Sequence, residues 1–274
     1  MGGIEHATPG IIVLTVCLLG PVLWCIRAAV GGREFYVRRI PGVDAINESI
    51  GRAAELGKPV SFTTALTTLG PTLYACLGIL YHVARKCAQY RLKLFLPQNQ
   101  PDVMAVSEDV VRDAYRTEGR LSSFDPENIV YLSDEQFAFA SGYMGLLHRE
   151  KVGAALMFGR FAGESLILAE AGQQIGAMQV AGSISPEQVP FFVSTCDYTL
   201  IGEELFGASA YLTREPIQLG SLVGQDIAKL FIAGLIVCGV VVATFNSLWP
   251  ERMIRGVEEY ILAPWSSLKG GANE

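Results

Sequence analysis

The sequence predicts an α/β fold: a cytoplasmic, doubly wound, Rossmann-like parallel sheet of about five strands flanked by two transmembrane helices. Composition is the first ground for that expectation, because half of the 274 residues are hydrophobic and only 18% are charged, with a mean hydropathy of +0.34. That balance lies outside the range of ordinary soluble domains. The second ground is a pair of apolar stretches, 11–30 and 227–248, each long enough to cross a bilayer. The third is the segment 154–183, AALMFGRFAGESLILAEAGQQIGAMQVAGS, in which a short apolar strand, a glycine turn, a helix of about ten residues and a second strand follow one another. Two parallel strands joined by a helix form the βαβ unit, whose hand and packing are nearly fixed.

Taken in order, residues 11–30 read as a retained anchor, because the leader MGGIEH has no basic region and no small-residue cleavage site follows. Arg33, Arg38 and Arg39 then put the chain from residue 33 onward in the cytoplasm and the N-terminus outside. Pro41 and Gly42 break the chain, and Asp44 caps a helix over 45–56 that ends at Gly57 and lies against the next domain or the lipid surface. The uncharged stretch 60–84 is long enough for a third span. Its opening VSFTT, the Gly70-Pro71 break and basic residues on both flanks favour instead a strand over 60–64 and a buried helix over 72–89. A strand over 92–96 follows, then a helix over 102–116 started by Pro101 with Val103, Val106, Val110 and Val111 as its apolar face. A strand over 129–132 and a helix over 135–149, capped by Ser133 or Asp134, lead into the βαβ unit with strands 154–158 and 177–181 around a helix over 163–174. After Pro186 and Pro190 the reading is a long amphipathic helix over 191–212, then a linker, the second span, and an amphipathic helix over 251–262 that falls outside. The domains are accordingly an N-terminal anchor (1–32), a juxtamembrane helix (33–57), a cytoplasmic α/β domain (58–190), an amphipathic helix and linker (191–226), a second transmembrane helix (227–249) and a tail (250–274).

The blocks RRIPGVDAINESIGRAAELGKPV and PFFVSTCDYTLIGEELFGASAYL resemble an uncharacterised prokaryotic family of membrane-anchored proteins known only as a domain of unknown function, over about residues 35–230. The resemblance implies an α/β domain between membrane helices and carries over no catalytic residue.

Chemistry is sparse. In open parallel sheets ligands bind outside the carboxyl ends of the strands, where loops meet helix N-termini. Those loops offer Thr63, Thr64, Thr67 and Thr68, then Gln98 and Asn99, Ser133 and Asp134, Arg160 and Glu164, and Ser183. This polar rim suits a small anionic ligand but holds no nucleophile with a base and an orienting group, so no catalytic residue is expected. GRFAGES lacks both the GxGxxG fingerprint and a Walker lysine, which argues against a nucleotide cofactor. Arg160 beside Glu164 reads as a local ion pair at a helix start, with an anion site as the alternative. Asp197, Glu203 and Glu204 with Glu170 lack the Glu-x-x-His pattern of a carboxylate metal centre, and the six cysteines show no metal spacing. No metal or cofactor is expected. A net charge of -6 without a basic face excludes nucleic acid as a partner.

Contact surface is the stronger signal. Phe191, Phe192, Leu205, Phe206 and Tyr211 put much aromatic and aliphatic surface on one expected helix, and Gly234, Cys238, Gly239 and Ala243 make a small-residue strip in the second span. Another chain or the first span would cover that strip. The leading expectation is a non-enzymatic scaffold subunit of a membrane complex, integral to the cell membrane with both termini outside, assembling with copies of itself or with other subunits. The second is a membrane-tethered enzyme or sensor that binds a small anionic ligand at the strand ends.

Overall fold

The computed structural model describes residues 9–33, 35 and 41–248. It divides into two units, one built from the two ends of the chain and one from residues 38–214. The expected tail helix over 251–262, like Arg38 and Arg39, lies outside the described residues.

The 38–214 unit begins with α2 (Pro41–Glu55), followed by β1 (Val60–Ala65), α3 (Pro71–Tyr90), β2 (Leu94–Gln98), α4 (Pro101–Thr117), β3 (Ile129–Tyr131), α5 (Gln136–Glu150), β4 (Ala154–Arg160), α6 (Ser165–Gln174), β5 (Met178–Ser183), α7 (Val189–Thr195), β6 (Tyr198–Ile201) and α8 (Glu204–Thr213). All six strands are parallel, in the order β3-β2-β1-β4-β5-β6. The order reverses between β1 and β4, which is the doubly wound arrangement. Strands β1, β2 and β5 are buried from end to end, as is β4 apart from Arg160. They read as continuous apolar or threonine runs because both faces of a parallel sheet are covered.

One face packs α2, α3, α4 and α8 through Ile46, Ile50, Ile79, Leu80, Val111 and Leu205 onto Phe62, Leu96, Leu156 and Phe158. The other packs α5, α6 and α7 through Phe139, Tyr143, Leu168 and Phe192 onto Phe95, Met157 and Ala181. Phe161 and Phe192 meet edge to face with centroids 4.8 Å apart.

Several expectations are corrected. The sheet has a sixth strand: residues 191–212 form α7, β6 and α8 instead of one amphipathic helix. Tyr198-Thr199-Leu200-Ile201 is a β-favouring quartet, and Gly202, at φ +54°, turns the chain after it. Helix α2 starts at Pro41, not after it, because proline is well suited to a first helical position. Its buried face, with Val43, Ile46 and Ile50, lies against the sheet and α3, not against lipid. Strand β2 sits two residues later than expected. The apolar face of α4 is Val103, Ser107, Val111, Ala114 and Tyr115, while Val106 is exposed and Val110 half-buried. The N-cap of α5 is Glu135, and the Ser133 hydroxyl accepts from the Glu135 amide at 3.1 Å in the preceding turn. Helix α3, the stretch that could have been a third span, buries eleven of its residues, Leu73 to Ala88, and belongs to the core.

The other unit contains α1 (Pro9–Val30) and α9 (Pro216–Leu248), two helices long and apolar enough to cross a membrane. Helix α9 begins eleven residues before the expected span and absorbs the linker. The helices run antiparallel. A side chain at Gly220 would strike Ile26 and Cys25 backbone, and one at Gly224 would strike Val22, both within 3 Å. These two glycines, one turn apart, let the backbones approach as small-xxx-small pairs do. At Gly234 and Gly239 an added Cβ would meet no atom within 4 Å. A five-residue step turns about 140° around a helix, so they do not share one strip.

Candidate functional site

Ligands of doubly wound sheets sit where the strand order reverses, here between the carboxyl ends of β1 and β4. In this chain that crevice is filled by the protein itself. The pairing of β1 with β4 shifts register between Thr63 and Ala65, and Ala65 takes φ +45°, a left-handed conformation that costs about 1–2 kcal/mol for a residue with a side chain. The turn brings Thr67 into the gap. Its hydroxyl donates to the Thr64 carbonyl and accepts from the Arg160 amide at 2.8 Å, while the Leu66 amide donates to the Arg160 carbonyl at 3.2 Å. Gly159, at φ +140°, makes this possible, since a Cβ there would collide with the Thr67 hydroxyl oxygen. Backbone and threonine thus join β1 to β4 where the strand order reverses.

The other rim residues serve the same end. Thr63 donates to the Pro97 carbonyl at 2.9 Å and accepts from the Ala65 amide at 3.1 Å, and Thr64 donates to Gln98 Oε1 at 2.6 Å. Asn99 Nδ2 donates to the Ser133 carbonyl at 2.7 Å, tying the end of β2 to the loop after β3. The Ser183 hydroxyl accepts from the Ser185 amide at 3.0 Å, and Asp134 is exposed. The structure therefore joins Thr63, Thr64 and Gln98 in one network and Asn99 and Ser133 in a second, and leaves Ser183 apart.

The expected Arg160–Glu164 ion pair does not form. Glu164 is fully buried, and its carboxylate accepts from the Ala162 amide through both oxygens at 3.1 Å and from Gln136 Nε2 at 2.7 Å. Arg160 is exposed. Sequence reasoning missed Gln136 and also Gln188, whose Oε1 accepts from Ser165 at 2.7 Å to hold α6 to the loop after β5. Neither has a sequence signal, because each acts across 23 or more residues.

Two features at the strand ends are not consumed. Gln98 Nε2 is buried without a hydrogen-bond partner, at a cost of about 1–3 kcal/mol. The helices that follow β1 and β2, α3 and α4, start at Pro71 and Pro101 without a side-chain cap. Outside the network, large apolar side chains stand exposed on the loop after β1 and on the first turns of the following helices: Leu69 (60%) before α3, Tyr74 (68%) in α3, Phe137 (62%) in α5 and Leu166 in α6, with Ile201 at the end of β6.

The thiols of this unit are not poised for chemistry. Burial pushes Cys87 up to about 12, and burial, opposed by Thr195 and reinforced by Asp197, pushes Cys196 up to about 12. Cys76 is raised further by burial and donates to the Phe158 carbonyl at 3.3 Å. His82 is pushed down to about 4 by burial and by Lys86 and Arg85, and its Nε2 contacts Asn47 Oδ1 at 2.8 Å between α3 and α2. Among the described residues no group of histidine, cysteine and carboxylate side chains is arranged to hold a metal ion.

The expected contact residues 191–212 fare differently. Phe192 and Leu205 are in the core, Phe206 and Tyr211 pack half-buried against it, and Phe191 alone is exposed. The aromatic surplus was the interior of the unrecognised β6 unit. No curated protein and no solved structure matches the chain. The profile of a domain of unknown function, DUF6754, matches residues 4–254, nearly the whole length. The chain therefore belongs to the DUF6754 family.

Proposed function

We propose that the chain is a non-enzymatic scaffold subunit of a membrane protein complex, in which α1 and α9 anchor the α/β unit and the strand-end loops dock another subunit. The observation that carries this reading is the bridged switch point: Thr67, Gly159 and the Arg160 backbone join β1 to β4 where a ligand would sit, and Leu69, Tyr74 and Phe137 stand exposed on the segments that follow β1 and β3. Exposed apolar side chains grouped on one edge support a protein contact more readily than a small anion. Integral membrane placement and a cytoplasmic α/β unit belong to the same proposal, supported by the two long apolar helices and by the basic residues after α1.

A second reading, a sensor for a small anionic ligand, is favoured by the unpartnered Gln98 amide beside the uncapped starts of α3 and α4. Thermal melting of the 38–214 unit with nucleotides and phosphorylated metabolites separates the two. The scaffold reading predicts no stabilisation by any of them. A rise in melting temperature that Arg160→Ala and Gln98→Leu both abolish would establish the sensor instead.

A further inference from the structure

Folding gathers bases that the sequence spreads out. In a parallel sheet the segments that lead into neighbouring strands lie side by side at the amino edge, and β2, β1 and β4 are neighbours. Those segments carry Leu56 and Lys58 before β1, Tyr90, Arg91 and Lys93 before β2, and Lys151 before β4. They are joined directly: the Val60 amide donates to the Lys93 carbonyl at 2.9 Å, and the Gly153 amide to the Pro59 carbonyl at 2.8 Å. A Cβ on Gly153 would meet the Lys58 side chain at 2.8 Å, so Lys58 stands between the segments of Lys93 and Lys151. Neighbouring strands are about 4.8 Å apart, which confines the four bases to about 10–15 Å of edge. The basic face that the sequence does not show is made by the fold.

Among the described residues none of Lys58, Arg91, Lys93 and Lys151 is in an ion pair, whereas Arg85, Arg112 and Arg149 each have a carboxylate. Arg52 and Glu55, in the last turn of α2, balance each other. Helix dipoles favour bases at helix ends, which accounts for Arg91 after α3 and Lys151 after α5. The dipoles do not account for Lys58 and Lys93, which stand at the strand starts. Nor do they account for the backbone, because Arg91 (φ +59°) and Lys151 (φ +48°) occupy left-handed C-caps where glycine or asparagine fits with less strain. Among these bases Leu56 (57%) and Tyr90 (50%) are exposed. The opposite, carboxyl edge instead exposes Asp102, Asp134, Glu135 and Glu187 beside the apolar rim.

We propose that the amino edge of the sheet rests on an anionic lipid surface, with Lys58, Arg91, Lys93 and Lys151 against phosphate headgroups and Tyr90 and Leu56 entering the interface. Charge complementarity selects this occupant: the cytoplasmic leaflet is negative, and each base near it adds attraction. The apolar pair fits the same surface, since tyrosine favours the headgroup level. The α/β unit is also continuous at both ends with helices apolar enough to cross a membrane, which keeps a bilayer within its reach. The carboxyl edge then turns away from the lipid, where another subunit can meet it. The inference rests on the membrane-anchor part of the proposed function and goes beyond it.

The experiment uses the full chain in lipid discs of phosphatidylcholine, alone or with about three lipids in ten replaced by phosphatidylglycerol. An uncharged acetylating reagent reads the exposure of each lysine by mass spectrometry. Lys58, Lys93 and Lys151 each react at least about threefold more slowly in the anionic discs at low salt, and regain the neutral-disc rate when salt is raised. Lys93→Glu together with Lys151→Glu returns Lys58 to the neutral-disc rate. Equal rates in the two kinds of disc overturn the proposal. So does equal slowing by inorganic phosphate added to neutral discs, which would make the edge a site for a free anion. Slowing in both kinds of disc that salt does not relieve overturns it too, because another chain and not lipid charge would then cover the edge. Should the double variant fail to fold, brominated lipid decides the matter with the bases intact: the fluorescence added by Tyr90→Trp is quenched at least about twofold more in anionic than in neutral brominated discs. Equal quenching overturns the proposal. Alkaline carbonate extraction of the wild type tests the anchor by itself: release of the chain removes both readings, and retention with equal acetylation removes the lipid docking alone.

Discussion

Helices α3 and α9 look alike in the sequence and end in different surroundings. Each begins at a proline and contains a long uncharged run, within 60–84 for the first and 230–250 for the second. Helix α3 buries eleven residues between sheet, α4 and α8, whereas α9 buries only Gly220 and Gly224, against α1. Hydrophobicity measures how much surface must leave water and is silent on where that surface goes. What distinguishes the two is the neighbouring chain: α3 follows a strand and carries Gly78, where an added Cβ would collide with the Ser209 hydroxyl of α8, while α9 keeps Leu230, Ile236, Val237, Val240 and Val241 exposed.

The comparison breaks most visibly at a core leucine. Leu80→Ala in α3 empties a fully buried position and is expected to lower the unfolding free energy of the α/β unit by about 2–5 kcal/mol in denaturant titration. The same change at Leu230, 74% exposed on α9, leaves that transition within about 0.5 kcal/mol of wild type. Equal effects would mean that α9 packs as a core helix. At the glycines the two helices should part again. Gly78→Val overpacks α3 against α8 and costs about 1–3 kcal/mol in the same titration. Gly224→Val instead pushes α1 from α9 and is expected to leave the α/β transition within about 0.5 kcal/mol of wild type in that titration.

Smaller effects sharpen the account of the strand ends. Glu164→Ala frees the Ala162 amide and Gln136, and is expected to cost about 1–3 kcal/mol, whereas Arg160→Ala changes stability by less than about 0.5 kcal/mol. Similar losses in both would restore the ion pair that the structure does not contain. The smallest effect is on pH dependence. Because His82 is held near 4 in the fold, against 6.5 when unfolded, the unfolded chain takes up a proton that the folded chain refuses between those values. Stability is therefore full above pH 6.5 and falls as pH drops toward 4, by about 1–2 kcal/mol once solvent screening of this half-buried ring is counted. His82→Gln should flatten that part of the curve, and an unchanged slope would assign it to other groups.

Much of the architecture was legible because interior parallel strands announce themselves. Strands β1, β4 and β5 are short apolar or threonine runs closed by glycine or polar turns, and the helices between them carry the proline starts that mark α3 and α4. Strand β6 was hidden because it is an edge strand of four residues set between two short helices, so a helical period could be drawn through all three. At the strand ends the residue types were legible and their use was not. Thr63, Thr64, Gln98 and Asn99 do gather there, but whether a threonine points to a ligand or to the neighbouring carbonyl depends on contacts 34 residues away in sequence. Two of the expected contact residues lie in the interior for a related reason: Phe192 and Leu205 look amphipathic on one helix and are core on two.

The scaffold reading is tested most directly by the mass of the native particle. The full chain is purified from its own membranes in lipid discs, once as wild type and once with Leu69→Glu and Phe137→Glu together on the strand-end rim, positions whose exposure should leave the fold unharmed. Wild type is expected to exceed the mass of one chain by that of at least one further subunit, and the double variant to lose that subunit. A wild-type particle no heavier than one chain, or a heavier one that the rim substitutions leave intact, would contradict the account.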